Sequence, residues 1–249
     1  MLKKKGLMII LILTLILAAG TGCKPIKEQV YKTGLENYME NNDAVVARLM
    51  EKRIENLLEE GTNYDWSFQS GDIDVNIEDL SIDGNEIHIT NGKMIYDFTL
   101  SDNSVNTNES NIKTKNSQVI ANLDVILEER RQFKEYYLIK LDGKAYTDNT
   151  APAIRNINYS SSNNKLTADL DNLTENVMAK VFHQEGSYIY VDELSINRND
   201  LDSSRATATA SDLSIPEGTP VSGIGAINLD EIEKDNDNLG IKIKFFNQD

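Results

Sequence analysis

The sequence predicts an α+β protein in which helices pack on antiparallel sheets, as two tandem domains that each join a helix to a meander of strands. Apolar residues recur at helical spacing before residue 61 and then alternate, as they do along half-buried strands. An eleven-residue stretch also occurs twice, at 77–87 and at 191–201, and three further extended segments follow each copy. The positions identical in both copies are Leu80/Leu194, Ser81/Ser195, Ile82/Ile196 and Asn85/Asn199. We therefore expect domains at 30–150 and 165–249, joined by a linker at 151–164.

Composition limits the classes of partner and of site. With 40% hydrophobic and 26% charged residues among 249, the chain has the make-up of a folded protein. Its formal net charge of −15 repels nucleic acid and anionic lipid headgroups, so nucleic-acid binding is excluded on charge. Cys23 is the single cysteine, which excludes a disulfide framework and any zinc site built on several thiolates.

The first 22 residues are predicted to be a cleaved secretory signal. Three lysines, Lys3 to Lys5, precede an apolar segment at 7–19, and small residues lead from it into Cys23. A helix of that length spans about 20 Å, which is short of the roughly 30 Å hydrocarbon core of a bilayer.

The end of this segment resembles the lipobox of bacterial lipoproteins, although Gly20 stands where a leucine is usual. The resemblance implies that the Cys23 thiol carries a diacylglyceryl group and that Cys23 becomes the new N-terminus. It further implies that acyl chains, including palmitate, anchor the protein at the outer, extracytoplasmic face of the cell membrane. Residues 23–29 would then form a short tether. A plain signal peptide or an uncleaved anchor is the alternative.

Two helices are predicted next. The first has its apolar residues at i, i+4, i+7 and i+8, and residues 41–43 interrupt it and offer caps for the second. Gly61 is placed to end the second helix. The apolar faces consist of Tyr31, Leu35, Tyr38 and Met39 in the first helix and Val46, Met50, Ile54, Leu57 and Leu58 in the second.

Strands follow, because the apolar period changes to two. Alternation runs over 64–100, with a change of phase near Asp79 that a β-bulge would explain. Asp83-Gly84 and Asn91-Gly92 are predicted to be hairpin turns, since both dipeptides accept positive φ.

Residues 102–117 have scarcely an apolar anchor and are predicted to be a surface loop. Alternation returns at 119–127, where the Val and Ile content favours a strand, with a helix over 119–137 as the alternative. The last strand of the first half is predicted at 137–141, followed by Asp142-Gly143.

The second half is predicted to repeat this order. Residues 166–182 are expected to form an amphipathic helix with Leu166, Leu170, Leu173, Val177 and Val181 on its apolar face. Strands are expected at 205–215, 221–229 and 240–246.

The run 35–50 resembles the opening helices of the nuclear transport factor two-like superfamily, and 137–144 is similar to its closing hairpin. The resemblance covers 30–148 and, more faintly, 165–247. It implies helices packed across strongly bent antiparallel sheets that enclose a cone-shaped cavity. Because that superfamily contains enzymes, binding modules and protein-contact domains, the fold does not settle the function.

Few residues suit catalysis or metal binding. The chain contains no HExxH, GxSxG, P-loop or GxGxxG motif. Its two histidines, His88 and His183, are predicted to be surface or capping residues, with His88 facing away from its apolar neighbours. We predict no metal and no cofactor; a calcium site in the acidic loop from Asp235 is the alternative.

Taken together, the sequence predicts a non-enzymatic lipoprotein that acts as a binding or assembly module for another envelope protein. The alternative is a small-ligand carrier or an enzyme that uses the cone-shaped cavity of the first domain. Its candidate ligand-binding residues are Trp66 and Tyr96, which would line the cavity, with His88 or an Asp as the polar group. A purely structural role as a spacer is a third possibility.

Overall fold

A computed structural model of the chain describes residues 24–40, 45–58, 66–102, 114–130, 135–147, 151–185, 188–216, 222–233 and 239–246. Two helices come first, α1 (Lys24–Met39) and α2 (Val45–Leu58). Four long strands follow, β1 (Trp66–Asp83), β2 (Glu86–Asp102), β3 (Thr114–Arg130) and β4 (Glu135–Tyr146). The remaining elements are β5 (Ala153–Ser160), β6 (Lys165–Asp171), β7 (Val177–Glu185), β8 (Tyr188–Glu193), β9 (Ser195–Asn199), β10 (Asp202–Ala210), β11 (Ser222–Asn228), the short helix α3 (Leu229–Glu233) and β12 (Ile241–Phe246).

The strands form two antiparallel sheets. The large sheet has eight strands in the order β1-β2-β3-β4-β12-β11-β7-β8, and the small sheet has four in the order β5-β6-β10-β9. The protein is therefore a sheet-rich α+β protein, which confirms the predicted α+β fold class. The two helices and the strand at 119–127 also agree with the prediction.

The large sheet separates two hydrophobic cores. The first lies under α1 and α2 and reaches across the sheet to Phe182 and Phe245. The second lies between β7 and β11 of the large sheet and the inner residues of the small sheet. Strand β11 shows this division best, because Ile227 contributes to the first core while Ile224 and Ala226 contribute to the second. We call the face of the large sheet that points away from α1 and α2 the outer face.

Two predictions for the second half are wrong. The expected linker at 151–164 is strand β5 and the turn after it, and the expected helix at 166–182 is β6 and β7. The leucines at 166 and 170 fit either period because they are four residues apart, but Ala168 between them is buried as well, which requires a strand. Strand β12 pairs with both β4 and β11, so strands of both predicted halves share one sheet and the chain does not divide at 151–164.

The two copies of the repeated stretch occupy different places. Leu80 lies within β1 and pairs with Ile89 of β2. Leu194 lies between β8 and β9, where the chain passes from the large sheet to the small one. Each copy leads into a tight hairpin turn, but the turns at 84–85 and 200–201 do not correspond in the alignment of the copies. Leu80 and Leu194 are therefore not equivalent core positions.

The predicted tether at 23–29 is helical from Lys24 onward, since α1 begins there. Cys23 and the predicted signal at 1–22 lie outside the described residues. None of the described helices has the length and the apolar content needed to cross a bilayer.

Asn91-Gly92 forms a bulge within β2 and not the predicted hairpin turn. Asn91 has a φ of 57°, and β2 changes register against β3 between Ile89 and Gly92. Strand β1 stays in register with β2 beside Asn91, so the apolar residues of β1 also change to the other set of alternate positions there. The apolar pattern near Asp79 predicted this change. Gly84 has a φ of 62° and does form the predicted turn.

Another positive-φ residue, Gly143, lies within β4. Its φ is 124°, and it pairs with Leu123 of β3 on one side and with Phe245 of β12 on the other. The strand continues through this residue to Tyr146 and so extends beyond the predicted end at 141.

Candidate functional site

Tyr96 and His88, two of the three predicted ligand-binding residues, lie on opposite faces of β2. Tyr96 is 1% exposed in the first core. His88 lies on the outer face, partly exposed, as its alternation predicted. A regular strand would place both on one face, because their numbers are both even, but the extra residue at Asn91 separates them. The side chain of Trp66, the third predicted residue, lies outside the described part of the protein.

Tyr96 has the surroundings of a core residue. Its ring stacks with those of Phe68 and Phe98 at centroid distances of 6.3 and 6.2 Å. Burial, followed by the negative charge of Glu51, raises the pKa of its hydroxyl above the ordinary value. The phenol therefore stays neutral and does not supply a base.

His183 is also a structural residue, although it is not at the end of a helix. It lies in β7, is 5% exposed, and its ring stacks on that of Tyr190 at 4.8 Å with an angle of 8° between the planes. Among the described residues, no group of three or more His, Cys, Asp or Glu side chains is arranged to hold a metal ion. Residues 234–238 of the acidic loop are outside the described part.

A cluster of lysines lies on the outer face where β4 and β12 pair. We call it the lysine face and define it as Lys140, Lys144 and Tyr146 of β4 with Lys242 and Lys244 of β12. Lys144 lies opposite Lys244, and Tyr146 lies opposite Lys242. The Nζ atoms of Lys242 and Lys144 are 4.4 and 5.7 Å from the centre of the Tyr146 ring, within reach of its negative face.

The ammonium groups of the lysine face form no ion pairs in the described part of the protein, although Asp142 lies between Lys140 and Lys144 on the same face of β4. Within the described residues, none of the four lysines forms an ion pair with Asp or Glu. Burial, and then the charges of Lys144 and Lys244, lower the pKa of Lys242 to about 8. Like charges on neighbouring strands repel, so an anion from outside would relieve the repulsion.

The lysine face continues across the sheet in a straight row. Lys93 of β2, Asn122 of β3, Lys144 of β4 and Lys244 of β12 pair one with the next, and paired residues share a face. Adjacent strands lie about 4.8 Å apart, so the two end lysines of this row are separated by about 14 Å.

Two carboxylates form the neighbouring row and border the lysines. Asp124 and Asp142 lie opposite each other on β3 and β4. Each accepts a hydrogen bond from a backbone N–H group, Asp124 from Asn91 at 2.8 Å and Asp142 from Gly143 at 2.6 Å. These bonds direct one oxygen of each carboxylate to the backbone and not to an ammonium group.

A cleft of about 360 Å³ opens where β5 of the small sheet meets the lysine face. Lys140, Asp142 and Lys244 line it from the large sheet together with Phe245 and Phe246, and Asn156 and Ile157 line it from β5. Strand β5 is irregular between Arg155 and Asn158, and Asn156 has a φ of 49°. The amide nitrogen of Asn156 donates a hydrogen bond to Asp169 at 2.7 Å, so the cleft offers two ammonium groups beside one carboxylate and several apolar side chains.

One further cation is enclosed in the first core. Arg53 of α2 is 0% exposed, and its guanidinium carbon lies 5.1 Å from the centre of the Phe182 ring. Among the residues that the structure describes, none is a hydrogen-bond partner of its three guanidinium nitrogens. Burial lowers the pKa of Arg53 to about 10, so the group remains charged at neutral pH.

The sequence contained a signal for the lysine face that the predictions did not use. In β12 the apolar residues Ile241, Ile243 and Phe245 point inward, so alternation places Lys242 and Lys244 on the opposite face. The pairing of β12 with β4 could not be predicted, because these strands come from different predicted domains.

Comparison of the chain with protein-family models, with curated proteins and with solved structures finds no match. The resemblances to the lipobox and to the nuclear transport factor two-like superfamily therefore stay predictions.

Proposed function

We propose that this chain is a lipid-anchored, extracytoplasmic protein that works as a non-enzymatic binding module, and that the lysine face is its contact surface for an anionic component of the cell envelope. The observation that carries the proposal is the cluster of four ammonium groups that form no ion pairs among the described residues, in a chain of net charge −15. The net charge repels nucleic acid and anionic lipid headgroups from the protein as a whole, but charges act locally and are screened beyond about 8–10 Å at physiological salt.

The lysine face predicts retention on a cation exchanger, despite a sequence pI of about 4.6. We expect the full-length protein in detergent to be retained at pH 7 and low salt. The triple variant Lys144→Gln, Lys242→Gln, Lys244→Gln should pass through the column, because it removes the localised positive charge.

The matched control is the triple variant Lys32→Gln, Lys52→Gln, Lys165→Gln. It changes the net charge by the same amount at residues outside the lysine face, so retention should persist. If the two triple variants elute together, the lysine face is not a binding surface.

The anchor is tested at Cys23. Because α1 begins at Lys24, a lipid on Cys23 would hold the folded protein directly against the membrane, without an extended tether. Cys23→Ala is expected to abolish incorporation of a labelled fatty acid, and the variant should leave the membrane fraction or retain its signal segment. A variant that labels, migrates and fractionates like the wild type would show that Cys23 is not the lipid attachment site.

A second candidate function is a carrier for a small anion in the first core. Arg53 favours it, because a buried guanidinium without hydrogen bonds is a position that a carboxylate or phosphate would neutralise. His88 takes no part in such a site, since it lies on the outer face. The Arg53→Met variant described in the Discussion separates the two candidates.

A further inference from the structure

We propose that the occupant of the lysine face is a linear phosphate polymer, which lies across the strands from the cleft at Lys140 and Lys244 to Lys93. This inference rests on the proposed function and adds the chemical class of the partner.

The length of the lysine row favours a chain over a compact anion. From Lys93 to Lys244 the row extends over three strand spacings, or about 14 Å, with Lys144 between its ends. A single phosphate contacts one or two of these ammonium groups, whereas a polymer with a charge on every unit contacts all of them. Lys244 belongs both to the row and to the cleft, so the two form one continuous path.

The shape of the path excludes a flat membrane. The small sheet rises beside the lysine face at β5, and Asn156 and Ile157 form the far wall of the cleft. A bilayer surface cannot enter a corner between two sheets, but a single extended chain can. Nucleic acids are phosphate polymers too, but the extracytoplasmic location of the proposed function places them out of reach.

The type of cation fits phosphate. The four cations of the lysine face are ammonium groups, which bind phosphate as point charges, whereas arginine pairs bidentately with carboxylate and phosphate alike. An acidic protein is the competing partner, and poly-glutamate is the probe that tests it.

Lys242 makes the binding sensitive to pH. The charged groups that face it are Lys144 from β4 and Lys244 from its own strand, and Tyr146 lies beneath it. Its ammonium loses the proton as the pH rises through about 8, so binding should weaken between pH 7 and 9. Lys242→Arg keeps a charge over this range and should remove the dependence on pH.

The test uses the full-length protein in detergent with long-chain polyphosphate and orthophosphate as probes, at equal phosphate concentration. Polyphosphate should bind about 100-fold more tightly or better, because its contacts are linked. The three lysines of the row alone contribute about −2 to the slope of log affinity against log salt, and Lys244→Gln should make the slope shallower by about 0.7. The control Lys165→Gln should leave the slope unchanged.

Three outcomes overturn the inference. Equal affinity for the two phosphate probes would show a small-anion site, equal or tighter binding of poly-glutamate would show an acidic protein partner, and preferred binding to vesicles of anionic phospholipid would show a membrane contact. In each case the wild type is still retained on the cation exchanger, so the proposed function survives. If that retention is also lost, both proposals fail together.

Discussion

Gly143→Ala is expected to lower the free energy of unfolding by about 2–5 kcal/mol, the sum of backbone strain and overpacking. Gly143 has a φ of 124°, which L side chains rarely adopt, and a Cβ atom there would collide with the backbone carbonyl oxygen of Asn122. Backbone on a central strand cannot move aside as a flexible side chain can. Urea unfolding of the full-length protein measures the loss.

Gly34→Ala is the matched control. Gly34 lies inside α1 with nothing within 4 Å of an added Cβ, so this variant should gain up to about 1 kcal/mol from helix propensity. If Gly143→Ala is as stable as the wild type, β4 does not have this conformation. The register that sets Lys144 opposite Lys244 would then be wrong as well.

Arg53→Met is expected to raise the free energy of unfolding by about 1–4 kcal/mol, the range found when buried ionic groups are replaced by apolar ones of similar size. The guanidinium of Arg53 is fully buried and has no hydrogen bond within the described structure, so only its contact with the Phe182 ring offsets the desolvation. Methionine keeps an unbranched, flexible side chain that can pack on Phe182. Thermal and urea unfolding at pH 7 give the change.

The control is Arg48→Met on the same helix, where the side chain is exposed and the change should stay within about 0.5 kcal/mol. Destabilisation of Arg53→Met by more than 1 kcal/mol would contradict our account of this residue. It would mean that an anion accompanies Arg53 in the folded protein, and the carrier function would then be favoured.

The elements that the sequence predicted correctly are those whose apolar residues fit only one spacing, either that of a helix or that of a strand. Helix α2 has apolar residues only at helical spacing, and β3 alternates without a break from Val119 to Leu127. The helix predicted at 166–182 failed because leucines four residues apart satisfy both periods. The buried Ala168 was the residue that distinguished them.

The dipeptide Asn91-Gly92 predicted the backbone conformation correctly, but it lies inside a strand and not in a hairpin turn. Asn91 does adopt positive φ, as the dipeptide Asn91-Gly92 predicted. It lies inside β2, which pairs on both sides, and that context comes from the neighbouring strands, not from the local sequence. The same extra residue at Asn91 placed His88 and Tyr96 on opposite faces.

The lysine face could be predicted only in part. Alternation alone places Lys242 and Lys244 on one face of β12 and Lys140 and Lys144 on one face of β4. That these faces adjoin depends on β12 entering the sheet beside β4, about 95 residues away in the chain, which no local pattern encodes.

The pKa of Lys242 tests the central claim most directly, because it reports whether ammonium groups without carboxylate partners crowd together on a half-buried surface. NMR titration of its ε-carbon should give a value of about 8, and the double variant Lys144→Gln, Lys244→Gln should raise it toward the ordinary lysine value. Lys165, which is exposed on the small sheet, serves as the internal reference. A wild-type Lys242 that titrates near the ordinary value of about 10.4 would contradict the account.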